Sequence, residues 1–178
     1  VADAISDAAV TDADAEAACA STEVIVGTAG TDGKSGDSVP NPAADAYGYV
    51  TTTAAPRVAT CIWIYLPAFK PTTTDVALGV YADGNGAPSS LLASTKLTLP
   101  LRVGWNAARL GSALAIQPNT TYWLTVAVGS GEVSVLTSTC IDSPLRRHSQ
   151  PVTAGQLPQT FAYATLGEQC AAAFYLAP

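Results

Sequence analysis

His148 is the chain's one histidine, and it is the natural place to look for acid–base chemistry, because an imidazole changes charge near neutral pH without help. With Asp142 and a serine it could complete a nucleophile, base and orienter set. No GxSxG elbow presents such a serine, however, and Gly129-Ser130-Gly131 is too short and reads as a hairpin turn. Paired carboxylates for glycoside hydrolysis would have to come from Asp75, Asp83, Glu132, Asp142 and Glu168. All five fall near expected turns or strand ends, where a charge is ordinarily solvated. No glycine-rich loop follows a strand and opens a helix, so no nucleotide site is expected. The chain reads as non-enzymatic, with no catalytic residue.

Binding chemistry has more candidates. Asp83 and Asn85, in Asp83-Gly84-Asn85-Gly86, could offer oxygens to Ca²⁺. The same side chains could instead bond their own backbone in a hairpin turn. No other cofactor is expected. Asp12, Asp14 and Glu16 have the spacing of the start of a calcium loop, but the loop's glycine and terminal glutamate are missing. Trp63, Tyr65 and Trp105 could stack on sugar rings, with Asn106 supplying hydrogen bonds. The competing reading places the indoles in the core, where each N–H needs a partner. Asn119-Thr120-Thr121 is an N-glycosylation sequon on an expected turn.

Cys19, Cys61, Cys140 and Cys170 are even in number and widely spaced, without the close ligand pairs of a zinc site. Two disulfides and an oxidising setting are expected, against four buried thiols acting as small hydrophobes. Three pairings are open. Cys61 with Cys140 and Cys19 with Cys170 is preferred, since the second pair would tie the N-terminal segment to the last strand.

These residues must be held by short strands. Val76, Leu78 and Val80 alternate with Ala77, Gly79 and Tyr81, and Tyr122, Leu124, Val126 and Val128 share one face. Residues 47–53, 58–66, 96–101, 160–165 and 171–176 also read as strands. Residues 132–140 read as the hairpin partner of 121–128. In 58–66, Cys61, Trp63 and Tyr65 point one way and Ile62, Ile64 and Leu66 the other, as in a central strand covered on both sides or one with an exposed aromatic face. Residues 141–158 hold three prolines and read as a long surface loop. Residues 1–38 read as an acidic, alanine-rich arm, extended or short-helical, with a short strand and a glycine-rich linker; residues 39–178 form the main domain. The strand at Glu23, Val24, Ile25 and Val26 is either the first strand of that domain or an assembly arm that adds to a neighbour's sheet edge. The expected fold is all-β, an antiparallel jelly-roll-like β-sandwich.

Composition narrows the partners. Charged residues are 12 % of the chain and the net charge is −6, so a phosphate-binding basic field is missing and nucleic acid is not an expected partner. Arg146-Arg147-His148 is the only basic cluster and reads as a solvated loop. No apolar run is long enough to span a membrane as a helix.

One stretch resembles a known group. Tyr81-Ala82-Asp83-Gly84-Asn85-Gly86-Ala87-Pro88-Ser89-Ser90-Leu91-Leu92-Ala93, then Gly104-Trp105-Asn106, Thr121-Tyr122-Trp123-Leu124 and Leu157-Pro158-Gln159-Thr160-Phe161, resemble the pattern of small β-sandwich modules in secreted bacterial proteins and phage virion surface proteins. Asn119 stands where that pattern has glycine. The resemblance covers residues 43–178 and implies an accessory, adhesive or structural role without naming a ligand. On the residues themselves, Leu91 and Leu92 are expected to plug the core. The expected function is a structural subunit or surface module at an extracellular or virion surface, partnered by copies of itself. The alternative is a carbohydrate-binding module with surface glycans as partners.

Overall fold

The computed structural model describes residues 19–31, 35–39, 42–67, 75–97, 99–131, 133–137, 146–153, 155–162, 164–168 and 171–178. Cys140, Cys170, Glu132, Asp142, Asp12, Asp14 and Glu16 lie outside them. Two antiparallel sheets pack face to face, the expected β-sandwich. The strands in chain order are β1 (Val26–Thr28), β2 (Ser35–Val39), β3 (Ala43–Val50), β4 (Arg57–Leu66), β5 (Val76–Asp83), β6 (Pro88–Lys96), β7 (Gly104–Ile116), β8 (Thr121–Val128), β9 (Val133–Thr137), β10 (Arg146–Pro151), β11 (Ala164–Glu168) and β12 (Phe174–Ala177). One sheet runs β1-β12-β4-β7 and the other β11-β10-β3-β8-β5-β6, with β2 and β9 as a separate pair. No helix among the described residues is long and apolar enough to cross a membrane.

Period-two alternation builds the core. Ile62, Ile64, Leu66, Phe174 and Leu176 face inward from the four-stranded sheet. Tyr47, Leu78, Val80, Leu124 and Val126 meet them from the other, and all are buried. Each large aliphatic side chain so buried contributes roughly 1.5–3 kcal/mol. The β2–β9 pair adds Val39, Val133 and Val135 to the same cluster.

Several expectations are corrected. β9, the described part of the expected 132–140 strand, does not form a hairpin with β8, because β3 and β5 occupy both edges of β8; β9 pairs with β2 instead. That pairing also makes Ser35–Val39 a strand where a linker was expected. β10 lies inside the supposed surface loop and joins β3 to β11. β6 and β7 occupy a region where only residues 96–101 were expected to be extended. Leu91 packs on the outer face of the six-stranded sheet and Leu92 is exposed, so Ala93 takes the core position.

The six-stranded sheet is apolar on its outer face too. Ala44, Ala46, Ala77, Tyr81, Trp123 and Ala127 line that face, and Val152, Leu157 and Phe161 cover it. Small side chains there let the covering segment sit close: a Cβ added at Gly79 would stand 2.5 Å from Leu157 Cδ1. The segment also extends the sheet edge. The Leu91 N–H donates to the Gln159 carbonyl (3.0 Å) and the Phe161 N–H to the Ser89 carbonyl (2.8 Å). The Tyr81 hydroxyl donates to the Pro158 carbonyl at 2.7 Å.

Of the expected strand, Glu23, Val24 and Ile25 lead into β1 and Val26 begins it; β1 pairs within the chain, with Val26 facing Leu176 and Thr28 facing Phe174. The Ile25 N–H donates to the Leu176 carbonyl at 2.9 Å. This is the in-domain alternative for that strand. It depends on Gly27, whose φ is +102° and whose added Cβ would lie 2.1 Å from the Phe174 carbonyl oxygen. Gly27→Ala is expected to cost about 1–3 kcal/mol through backbone strain and displacement of β1. Urea unfolding measures this, and an unchanged midpoint would mean that β1 does not dock on β12 this way.

Candidate functional site

The most chemically distinctive surface is the outer face of the four-stranded sheet. β4 alternates, so Cys61, Trp63 and Tyr65 emerge together on the side opposite Ile62 and Ile64. Register then decides their neighbours. Trp63 is flanked by Tyr175 on β12 and Ala107 on β7, and Tyr65 lies beside Trp105. Trp63 and Tyr175 stack with ring centroids 5.8 Å apart and planes 8° from parallel. Trp105 meets Tyr65 and Tyr175 edge to face, at 5.4 and 5.0 Å. Such offset and edge contacts suit the ring quadrupoles.

Cys19 closes this cluster through a disulfide to Cys61, which corrects the preferred pairing of Cys61 with Cys140 and Cys19 with Cys170. The bond joins residues 42 apart in sequence. It brings the chain N-terminal to β1 onto the sheet's outer face, where Cys19, Cys61, Trp63, Tyr175 and Ala177 form one buried group.

Of the glycan candidates, only Tyr65 and Trp105 remain half-exposed. Trp63 is 8 % exposed and its indole N–H has no partner within the described structure. Asn106 is 7 % exposed and spends its amide on the loop that leads into β7. Its Oδ1 accepts from the Arg102 N–H (3.1 Å), and its Nδ2 donates to the carbonyls of Arg102 (2.8 Å) and Gly104 (3.0 Å).

The calcium candidates are also engaged in the fold. The Asp83 carboxylate accepts from the Gly86 N–H at 3.1 and 3.2 Å and from Trp123 Nε1 at 2.8 Å. Asn85 holds the turn with φ of +62°. Among the described residues, no three His, Cys, Asp or Glu side chains gather as metal ligands would.

The basic cluster is not a solvated loop. Arg147 and His148 are buried on β10. Arg147 shares the inner face of the sheet with Tyr47 and forms an ion pair with the fully buried Asp45 of β3. A guanidinium enters the core here because a carboxylate neutralises it there. His148 points to the other face and meets the Trp123 ring edge to face at 4.9 Å, beneath the covering segment. Burial pushes the Tyr49 phenol well above its ordinary value, helped by nearby Tyr47 and opposed by its hydrogen bond to Ala172. Burial likewise pushes Tyr81 up, so both phenols are donors at neutral pH.

Sequence reasoning missed Tyr175 and Asp45. Tyr175 was legible as the outward partner of Ala173 and Ala177 in an alternating strand. Asp45 gave a signal of its own, a lone carboxylate in an alanine-rich run on the parity of Tyr47 and Tyr49. No family model and no curated protein matches the chain.

Arg147→Met is expected to destabilise the fold by about 3–5 kcal/mol, because Asp45 is left charged in the core. Adding Asp45→Leu is expected to recover most of that loss. Additive losses in a denaturation double-mutant cycle would show that the two side chains do not act as a pair.

Proposed function

We propose that the chain is a non-enzymatic structural subunit or surface module of an extracellular or virion assembly, and that residues 1–18 join neighbouring copies. The observation that carries this reading is the position of Cys19. Its disulfide holds Cys19, the first described residue, on the outer face of the four-stranded sheet. β1 is already paired within the chain, so this reading assigns the joining role to the segment before Cys19. A covalent anchor lets such a segment bear load between copies without unzipping β1. The reading also draws support from what the polar candidates do. Asp83, Asn106, Asp45 and Arg147 each serve a turn, a loop or the core. The disulfide agrees with an oxidising, extracellular setting.

The half-exposed rings of Tyr65 and Trp105 favour a second reading, carbohydrate binding on the same face. A soluble glycan that stacked there would change indole fluorescence, and the change should vanish in Trp105→Ala. Silence across a glycan panel on folded protein would remove this reading.

For the leading reading, light scattering on the chain shortened to begin at Cys19 is expected to give a monomer where the full chain gives an oligomer. The same oligomer from both would overturn the role assigned to residues 1–18. Replacing Cys19 and Cys61 together by serine is expected to loosen the assembly and to cost about 2–4 kcal/mol of domain stability.

A further inference from the structure

The sequon Asn119-Thr120-Thr121 has no part in the reading above, and the fold treats its three side chains unequally. It spans the tight turn from β7 into the first residue of β8. Thr51 ties the turn down. Its N–H donates to the Thr120 carbonyl (3.0 Å), and its Oγ1 donates to the Gln117 carbonyl (2.9 Å) and accepts from the Thr120 N–H (3.0 Å). The Thr120 hydroxyl is also used, donating to the Pro118 carbonyl at 3.1 Å. Asn119 is exposed and takes φ of +51°. Neither its carboxamide nor the Thr121 hydroxyl makes a hydrogen bond within the described structure.

Those two groups are the ones that N-glycosylation uses, the acceptor amide and the hydroxyl two residues on. The middle side chain is irrelevant to that reaction, and it alone is engaged. Asn119 also stands clear of both apolar faces, so a bulky polar group there would displace no packing. The chain's other described asparagines lack the hydroxyl: Asn85 precedes Gly86-Ala87, and Asn106 precedes Ala107-Ala108.

We infer that Asn119 is an N-glycan acceptor. The donor is an oligosaccharide carried on a lipid pyrophosphate. The Asn119 amide nitrogen bonds to the anomeric carbon, the bond from that carbon to the pyrophosphate oxygen breaks with its electron pair going to the pyrophosphate, and the amide gives up one proton. This rests on the extracellular reading, since the donor is met on a secretory route.

The test is secretion of the full chain from a eukaryotic host, with intact-mass analysis and thiol titration on each sample. Wild type and Thr120→Ala are expected to carry one oligosaccharide, released by peptide N-glycosidase with conversion of Asn119 to aspartate. Asn119→Gly, which keeps the positive φ accessible, and Thr121→Val, which keeps the strand's β-branched shape, are expected to have the bare polypeptide mass. Wild type with its Cys19–Cys61 disulfide formed and no glycan would overturn the acceptor assignment alone, as would a glycan retained in Thr121→Val. Free Cys19 and Cys61 thiols after secretion would overturn the extracellular reading beneath it.

Discussion

The central strands of both sheets are apolar on both faces, and that constraint governs the rest of the structure. A sheet in a simple sandwich buries one face and wets the other. Here β4 carries Ile62, Ile64 and Leu66 inward and Cys61, Trp63 and Tyr65 outward. β3 and β8 likewise carry alanines, Trp123 and Ala127 on the side away from the core. The two inner faces pack on each other, and water cannot solvate the two outer ones cheaply, so each outer face has its own cover. The six-stranded sheet is covered by Val152, Leu157 and Phe161. On the four-stranded sheet, the aromatic rings cover one another and the disulfide holds Cys19 against them.

Alongside these covers, several polar side chains are bound into the fold. Charged residues are few, at 12 % of the chain. Asp83 fixes the β5–β6 turn and holds Trp123 in place. Asn106 closes the loop before β7. Asp45 and Arg147 neutralise each other inside. The border of the aromatic group and the Asn119 turn at the end of β7 lie at the surface. Under the proposed function, the Cys19–Cys61 bond would secure the segment before Cys19 to this domain.

The sequence made the fold class legible because β4, β5, β8 and β12 are dense in β-branched and aromatic residues with period two. β6 and β7 escaped because serine, alanine and glycine carry little strand signal; their place is set by β5 and β4 beside them. β10 escaped for a different reason. Arg147, His148 and Gln150 look like loop residues until Asp45 and Trp123 are brought beside them by a partner strand distant in sequence. The aromatic group was half legible: Trp63, Tyr65 and Trp105 were identified, but their contact with Tyr175 depends on register. The Cys19–Cys61 link was beyond reach because pairing is decided by Cα separation in space, and spacing along the chain leaves all three pairings open.

The mass of the intact, unreduced chain in solution tests the central claim most directly. Light scattering behind size exclusion at micromolar concentration measures it against a chain mass of 18.1 kDa. If the anchored N-terminal segment joins copies, the particle mass is a multiple of that value and falls toward it when reductant opens the Cys19–Cys61 bond. A particle of 18.1 kDa with the disulfide intact would contradict assembly and leave the half-exposed Tyr65 and Trp105 as the surface to pursue.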